Sequence, residues 1–164
     1  MSYTFPPWYP ESASSWTMAR AKRFAKHLEP KSGSPIEVLL GASVLLAAYE
    51  TGFPLSTTNG PSSRFALDQQ VSISKYRVDF LISGDGKNLV VECDGRDFHH
   101  ATRDQIERDR KRDADLAALG YTVFRYPGKQ ITTDIWKPVL EILSWLDSAA
   151  FCAWYNEHRE FLDG

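Results

Sequence analysis

Tyr76-Arg77-Val78-Asp79-Phe80-Leu81-Ile82, Ser83-Gly84-Asp85-Gly86-Lys87 and Leu89-Val90-Val91-Glu92-Cys93-Asp94-Gly95 form the stretch whose reading decides the fold. Two apolar runs flank Asp85-Gly86. That dipeptide suits a two-residue type I′ hairpin turn, in which both central residues take positive φ. Each run carries acid where a purely structural strand would carry none. With Asp85 and Gly86 as the loop, paired positions sum to 171, so Asp79 lies opposite Glu92 and Arg77 opposite Asp94. Side chains alternate along a strand. Arg77, Asp79, Glu92 and Asp94 therefore share one face, and Val78, Phe80, Ile82, Leu89, Val91 and Cys93 share the other. Two carboxylates directly across a ladder have Cβ atoms ~5 Å apart and repel. A protein accepts that where a cation lies between them or a proton is shared. The plainer alternative is a surface face on which Arg77 and Lys75 neutralise the acids. Val90 also falls on the acidic face, which argues that this face is partly covered.

Working outward, a strand is expected at about 66–73, before strands at 76–82 and 88–94. After Gly95-Arg96-Asp97-Phe98-His99-His100 a helix opens on Thr102, with Gln105 three residues later as a capping box, and ends at Gly120. Its inner stripe holds Leu116 and Leu119. Extended backwards, that stripe meets Asp109, with Ile106, Arg112 and Asp113 beside it. An aspartate at mid-stripe needs a partner, so the first half of this helix overhangs a polar site or projects into water. The alternating charges, Arg103, Arg108, Arg110 and Lys111 among them, also fit a helix laced with exposed ion pairs. A strand at 121–126 is stopped by Pro127-Gly128. Hairpin, helix, then strand fits a crossover into a mixed sheet of about four strands. A helix follows from Thr133 past Pro138 to about Leu146. The last helix, about 149–162, carries Phe151, Trp154, Tyr155, His158 and Phe161.

Upstream, Ser34 as N-cap, Pro35 at the first helical position and Glu37 three after the cap start a helix that reaches about Tyr49 and ends before Gly52. Glu37 suits a reciprocal cap. At ~100° per residue it also falls about 20° from Val44, at the edge of the buried face, so cap and site both remain open for it. Residues 52–64 read as a loop. Residues 15–28 form an amphipathic helix with Trp16, Ala21, Phe24 and Leu28 inward. Arg20, Lys22, Arg23 and Lys26 lie outward, for phosphate or simply for water. Residues 1–13 read as an irregular arm laid on the domain.

The 164 residues suit one domain: an arm and helix at 1–33, a core at 34–147 and a C-terminal helix at 148–164 packed on that core. The net charge of −2 gives no global nucleic-acid signature, so any such binding needs a local patch. Cys93 and Cys152 lack metal-ligand spacing and read as reduced thiols. Neither a membrane span nor a secretory layout is evident, which suggests a cytoplasmic protein.

Asp79, a turn, then Glu92-x-Asp94 suits one or two divalent ions. Hard oxygen ligands favour Mg²⁺, with Mn²⁺ as a substitute, and the carbonyl of Cys93 is a further ligand candidate. Such a site activates water and offsets charge on a phosphate.

The chain resembles the PD-(D/E)XK nuclease superfamily, and within it the Vsr-like branch of very-short-patch-repair and homing endonucleases. The resemblance rests on Ser34-Pro35-Ile36-Glu37, Tyr76-Arg77-Val78-Asp79-Phe80 and Glu92-Cys93-Asp94-Gly95-x-x-Phe98-His99. It continues through Arg108-Asp109-x-x-Arg112-Asp113-x-x-Leu116-x-x-x-Gly120 and Val123-Phe124-Arg125-Tyr126, and covers about 34 to 140. It implies an α/β restriction-endonuclease-like core, with extra helices at both ends, that nicks or cuts DNA by metal-assisted hydrolysis. Glu37, Asp79 and Glu92 would hold or orient the metal. Asp94 stands where the superfamily usually has lysine, leaving the base open between Asp94 and His99. A histidine suits proton transfer near neutral pH, though His99 also fits a plain hydrogen-bonded loop residue. His100 lies outside the motif. Asp109, Arg112, Arg77 and Arg108 would support the acids or contact phosphate. Trp8, Tyr9 and Phe98 are candidates for wedging into a duplex. The alternatives are a non-catalytic nucleic-acid-binding or assembly module on the same fold, or a nuclease for RNA or structured DNA.

Overall fold

Helix α2 (Pro35–Thr51) is apolar all the way round, and Glu37 through Ala48 are buried. A helix of that kind must be covered on several sides. Its start is set by Ser34 and its end by Gly52, which takes φ 66° in the left-handed region open to glycine. In the computed structural model, which describes residues 15–57, 63–95 and 102–152, α2 lies against α1 (Ser15–Leu28) and one face of a five-stranded sheet. The strands are β1 (Leu55–Thr57), β2 (Phe65–Ile73), β3 (Tyr76–Gly84), β4 (Lys87–Asp94) and β5 (Thr122–Pro127), in the order β1-β2-β3-β4-β5. α4 (Gly128–Thr133) and α5 (Trp136–Leu146) join the α2 side, and α3 (Arg103–Ala118) connects β4 to β5.

The sheet is mixed. β2–β3 and β3–β4 are antiparallel, β4–β5 and β1–β2 parallel. This is the expected α/β architecture of a restriction-endonuclease-like core, with one strand more than expected. β1 lies in the segment read as loop. Its three residues carry too little pattern to stand out, and they pair only through Leu55↔Phe65 to Thr57↔Leu67. The helix expected from Thr133 to about Leu146 is α5, which starts at Trp136; α4, which begins directly after Pro127 and ends before Asp134, is a short helix not expected. α1 occupies 15–28 as expected, with Ala21, Ala25 and Leu28 buried and Lys22, Arg23 and Lys26 exposed.

The hairpin turn is as read. Asp85 and Gly86 take φ 51° and 72°, the sign a type I′ turn needs at both positions. Pairing follows from Gly84↔Lys87 to Phe80↔Val91. There the β3–β4 ladder stops, one rung before Asp79 and Glu92.

β2 and β3 break at the same level. Gln69↔Phe80 and Val71↔Val78 pair, but the rung between Gln70 and Asp79 is missing, and Gln70 takes φ 53°. The break resets the alternation of both strands. Phe65, Leu67, Phe80 and Ile82 belong to the main core under α2, whereas Ile73 and Val78 join Val90 and Leu116 in a small cluster under α3. The expectation that Val78 shares a face with Phe80 is therefore corrected, as is the common face for Arg77 and Glu92. The period of two holds only along unbroken strand. Leu119 is also corrected: it is 55% exposed, because α3 ends at Ala118 and Leu119 is its C-cap, outside the helical period that buries Leu116.

Among the described residues no helix is long and apolar enough to cross a membrane.

Candidate active site

Glu37 comes from the first turn of α2. Its Oε1 accepts from the Ser34 hydroxyl at 2.9 Å, and its Oε2 accepts from the Gly33 N–H at 2.8 Å. It therefore caps the helix, reaching Gly33 in place of the N–H of the cap residue itself. It also faces the sheet: Gln70 Nε2 donates to the same Oε2 at 2.8 Å. Glu37 is only 6% exposed, so the cap residue is also buried against the sheet.

Gln70 is the residue that sequence reasoning missed. Its amide nitrogen bridges Glu37 and Asp79 Oδ1, the latter at 3.4 Å, and its oxygen accepts from Arg77 Nε at 2.8 Å. The signal available was Asp68-Gln69-Gln70, three polar residues in a row in mid-strand.

Asp79 stands at the break. Its Oδ2 accepts the main-chain N–H of Cys93 at 2.8 Å. In an unbroken hairpin that N–H would bond the carbonyl of Val78, since narrow pairs alternate from Gly84↔Lys87. A strand residue directs its N–H and C=O to the same neighbour, so the Cys93 carbonyl faces the same gap. Burial raises the Asp79 carboxyl above its ordinary range. The Cys93 N–H opposes that rise, and the nearby charge of Glu37 adds to it. Cys93 packs its side chain on the main core, and burial pushes its thiol up. Both cysteines are free.

Glu92 is buried on the α3 side of β4 at 7% exposure. Burial raises its carboxyl to about 7, Arg112 opposes the rise, and Asp79 adds to it. Glu37, Asp79 and Glu92 thus form a chain of acids, each sensing the next. Arg112, from α3, donates through Nη2 to Glu92 Oε1 and to the carbonyl of Arg77 at 2.6 Å. Arg125 of β5, at 17% side-chain exposure, donates to Asp113 Oδ1 at 2.7 Å and lies 3.9 Å from Asp109 Oδ1. The acids at mid-stripe of α3 thereby have their partner. Arg125 was visible in sequence only as part of a motif.

Other expected residues are placed differently. Asp94 ends β4, half-buried, in register with Pro127 of β5. Arg77 turns to Gln70. Arg108 is exposed and bonds the carbonyl of Asp104 in its own helix. His99, His100, Phe98, Trp8 and Tyr9 lie outside the described residues. Among the described residues no three His, Cys, Asp or Glu side chains converge as a ready-made metal cage.

Comparison with known proteins adds an independent result. The family REase_MTES_1575, a restriction-endonuclease-like family, matches residues 62–144, just over half of the 164-residue chain. The chain belongs to this family. The matched segment runs from the approach to β2 into α5 and includes Asp79, Glu92, Asp94, Arg112 and Arg125; Glu37 precedes it. An uncharacterized protein of Haemophilus influenzae (strain ATCC 51907 / DSM 11121 / KW20 / Rd) is 32% identical over 84 residues, covering 51% of this chain and 66% of the relative. The match thus spans just under two thirds of that protein's length. Membership in REase_MTES_1575 indicates a nuclease-like domain.

Proposed function

We propose that the chain is a metal-dependent DNA endonuclease of the Vsr-like branch that nicks or cleaves by hydrolysing phosphodiester bonds. The observation that carries this reading is the coincidence of both ladder breaks with Asp79, whose carboxyl feels the charge of Glu37 and whose charge Glu92 feels. A fold gives up paired backbone and clusters acids where function requires it.

The donor set fits Mg²⁺. It is all hard oxygen: Asp79 and Glu92 as the two principal ligands, with the Cys93 carbonyl facing the gap between them. The buried acids sense one another's charge, and Arg112 is the cation on Glu92. Glu37, occupied by its cap and by Gln70, orients more than it ligates. When bound, the ion would lower the pKa of a water and offset charge on the phosphate. Arg112 stands ready to contact a phosphate oxygen, and His99 or Asp94 would move the proton. Mn²⁺ would substitute.

One observation favours a second reading, a non-catalytic DNA-binding module: Glu92 already has a cation partner in Arg112. Plasmid cleavage with Mg²⁺ or Mn²⁺, comparing wild type with Asp79→Ala and Glu92→Ala, separates the two. Metal-dependent nicking lost in both variants supports the nuclease. No activity on duplex, single-stranded or branched DNA favours the module, and equal activity in both variants rejects the assigned site.

A further inference from the structure

Arg112 is an unusual partner for a buried carboxylate. Arginine pairs most strongly with carboxylate when two N–H groups of its fork engage both oxygens. Here one nitrogen, Nη2, serves both Glu92 Oε1 and the Arg77 carbonyl. Nε is buried and has no hydrogen-bond partner among the described residues. A buried unpaired N–H is costly, so the guanidinium sits in an incomplete site. Its remaining surroundings hold it loosely. The guanidinium carbon lies 5.7 Å from the Tyr76 ring, at the edge of cation–π range. The carbonyl it grips belongs to the segment of β3 beyond the end of the β3–β4 ladder.

We infer that Arg112 is the resident cation of the acid site in the metal-free protein, competing with a divalent ion for Glu92. Displaced from Glu92, it offers its unpaired Nε–H edge to an anionic oxygen, the phosphate of the substrate. This inference rests on the metal-dependent reading proposed above. It makes the acid site self-neutralised at rest, and it couples arrival of the metal to release of a phosphate-binding group.

The test uses the metal alone, without DNA. Mn²⁺ binding to the full chain is measured by calorimetry at pH 8.5 for wild type, Arg112→Met and Arg112→Lys. Removing the competitor should tighten Mn²⁺ binding in Arg112→Met about tenfold, the equivalent of about 1.4 kcal/mol. Arg112→Lys keeps the charge and should stay within about twofold of wild type. The second measurement needs no folded Met variant. In ¹⁵N-labelled wild type, the Arg112 Nε–H resonance, assigned by its loss in Arg112→Lys, should shift on adding Mg²⁺. Unchanged Mn²⁺ affinity in a folded Arg112→Met, or a resonance unmoved at saturating Mg²⁺, overturns the competition. Wild type that binds neither ion overturns both this inference and the metal-dependent reading beneath it.

Discussion

Asp79 Oδ2 takes the main-chain N–H of Cys93 at 2.8 Å, so a carboxylate stands where a backbone carbonyl would close the hairpin. The same side chain therefore holds the backbone of β4 and presents charge to the gap. These two duties are separable. Asp79→Asn keeps an acceptor for Cys93 and should stay within about 1 kcal/mol of wild type. Asp79→Ala leaves that N–H unpaired, and should be less stable than the Asn variant by about 1–3 kcal/mol. Urea unfolding of the pair measures the gap, and equal stabilities would mean that the bond does not hold the strand. On the proposed metal-dependent reading, in which Asp79 is a ligand, both variants should lose nicking by at least about 100-fold.

Glu92 should make the protein more stable in mild acid. Its folded carboxyl titrates at about 7 against an ordinary 4.5, with burial as the main cause. The folded state therefore holds a proton that the unfolded state releases between these values. This contribution is fully present below pH 4.5 and is lost as pH rises through about 7. The change is on the order of 3 kcal/mol. Thermal melts from pH 4.5 to 8 should fall over that window. Glu92→Gln should flatten the fall, and an unchanged slope would assign it to other groups. Mg²⁺ should stabilise the wild type most at the alkaline end, because a metal requires the ionised ligand.

At Gly41, α2 approaches its neighbours closely. A Cβ there would lie 2.8 Å from Leu28 Cδ1 and 2.9 Å from two ring atoms of the buried Phe80. Gly41→Ala gains about 1 kcal/mol of helix propensity, but the overpacking costs about 1–3 kcal/mol. The expected result is a small net loss of stability, read from the denaturant midpoint. A clear gain would mean that Leu28 and Phe80 can move aside.

Arg125 fastens α3 to β5 through Asp113 and Asp109. Arg125→Met should cost about 1.5–3 kcal/mol, the range for hydrogen bonds to charged groups. Hydrogen exchange should locate the loss in α3, with the α2 side of the sheet unaffected. Uniform loss of protection would show that α3 is not a separate attachment.

The frame of the molecule was legible where local chemistry decides. Ser34-Pro35-x-Glu37, Thr102-x-x-Gln105 and Asp85-Gly86 each satisfy backbone groups through neighbours in sequence, and each stands where it was read. The acids were legible because charge in an apolar strand is costly. What stayed hidden depends on contacts distant in sequence. Nothing near Gln70 announces a left-handed residue in mid-strand, because its reason is Glu37 on another element and Asp79 across the ladder. Leu119 was misplaced for a different cause: periodicity fixes a helix's face only up to its last residue, and Leu119 is the cap beyond Ala118.

The exchange of faces at Gln70 and Asp79 divides the hairpin into two unequal mechanical units. Phe80 and Ile82 are anchored in the large core, while Val78, Ile73, Val90 and Leu116 make up the buried part of the small one. Regions with few buried apolar contacts open at a lower free energy than the whole. The far half of the hairpin and α3 can thus loosen while the sheet under α2 stays folded. Native-state hydrogen exchange would register this as two separate opening classes, divided at Asp79. The backbone beside the acids would then yield locally, without a dedicated hinge.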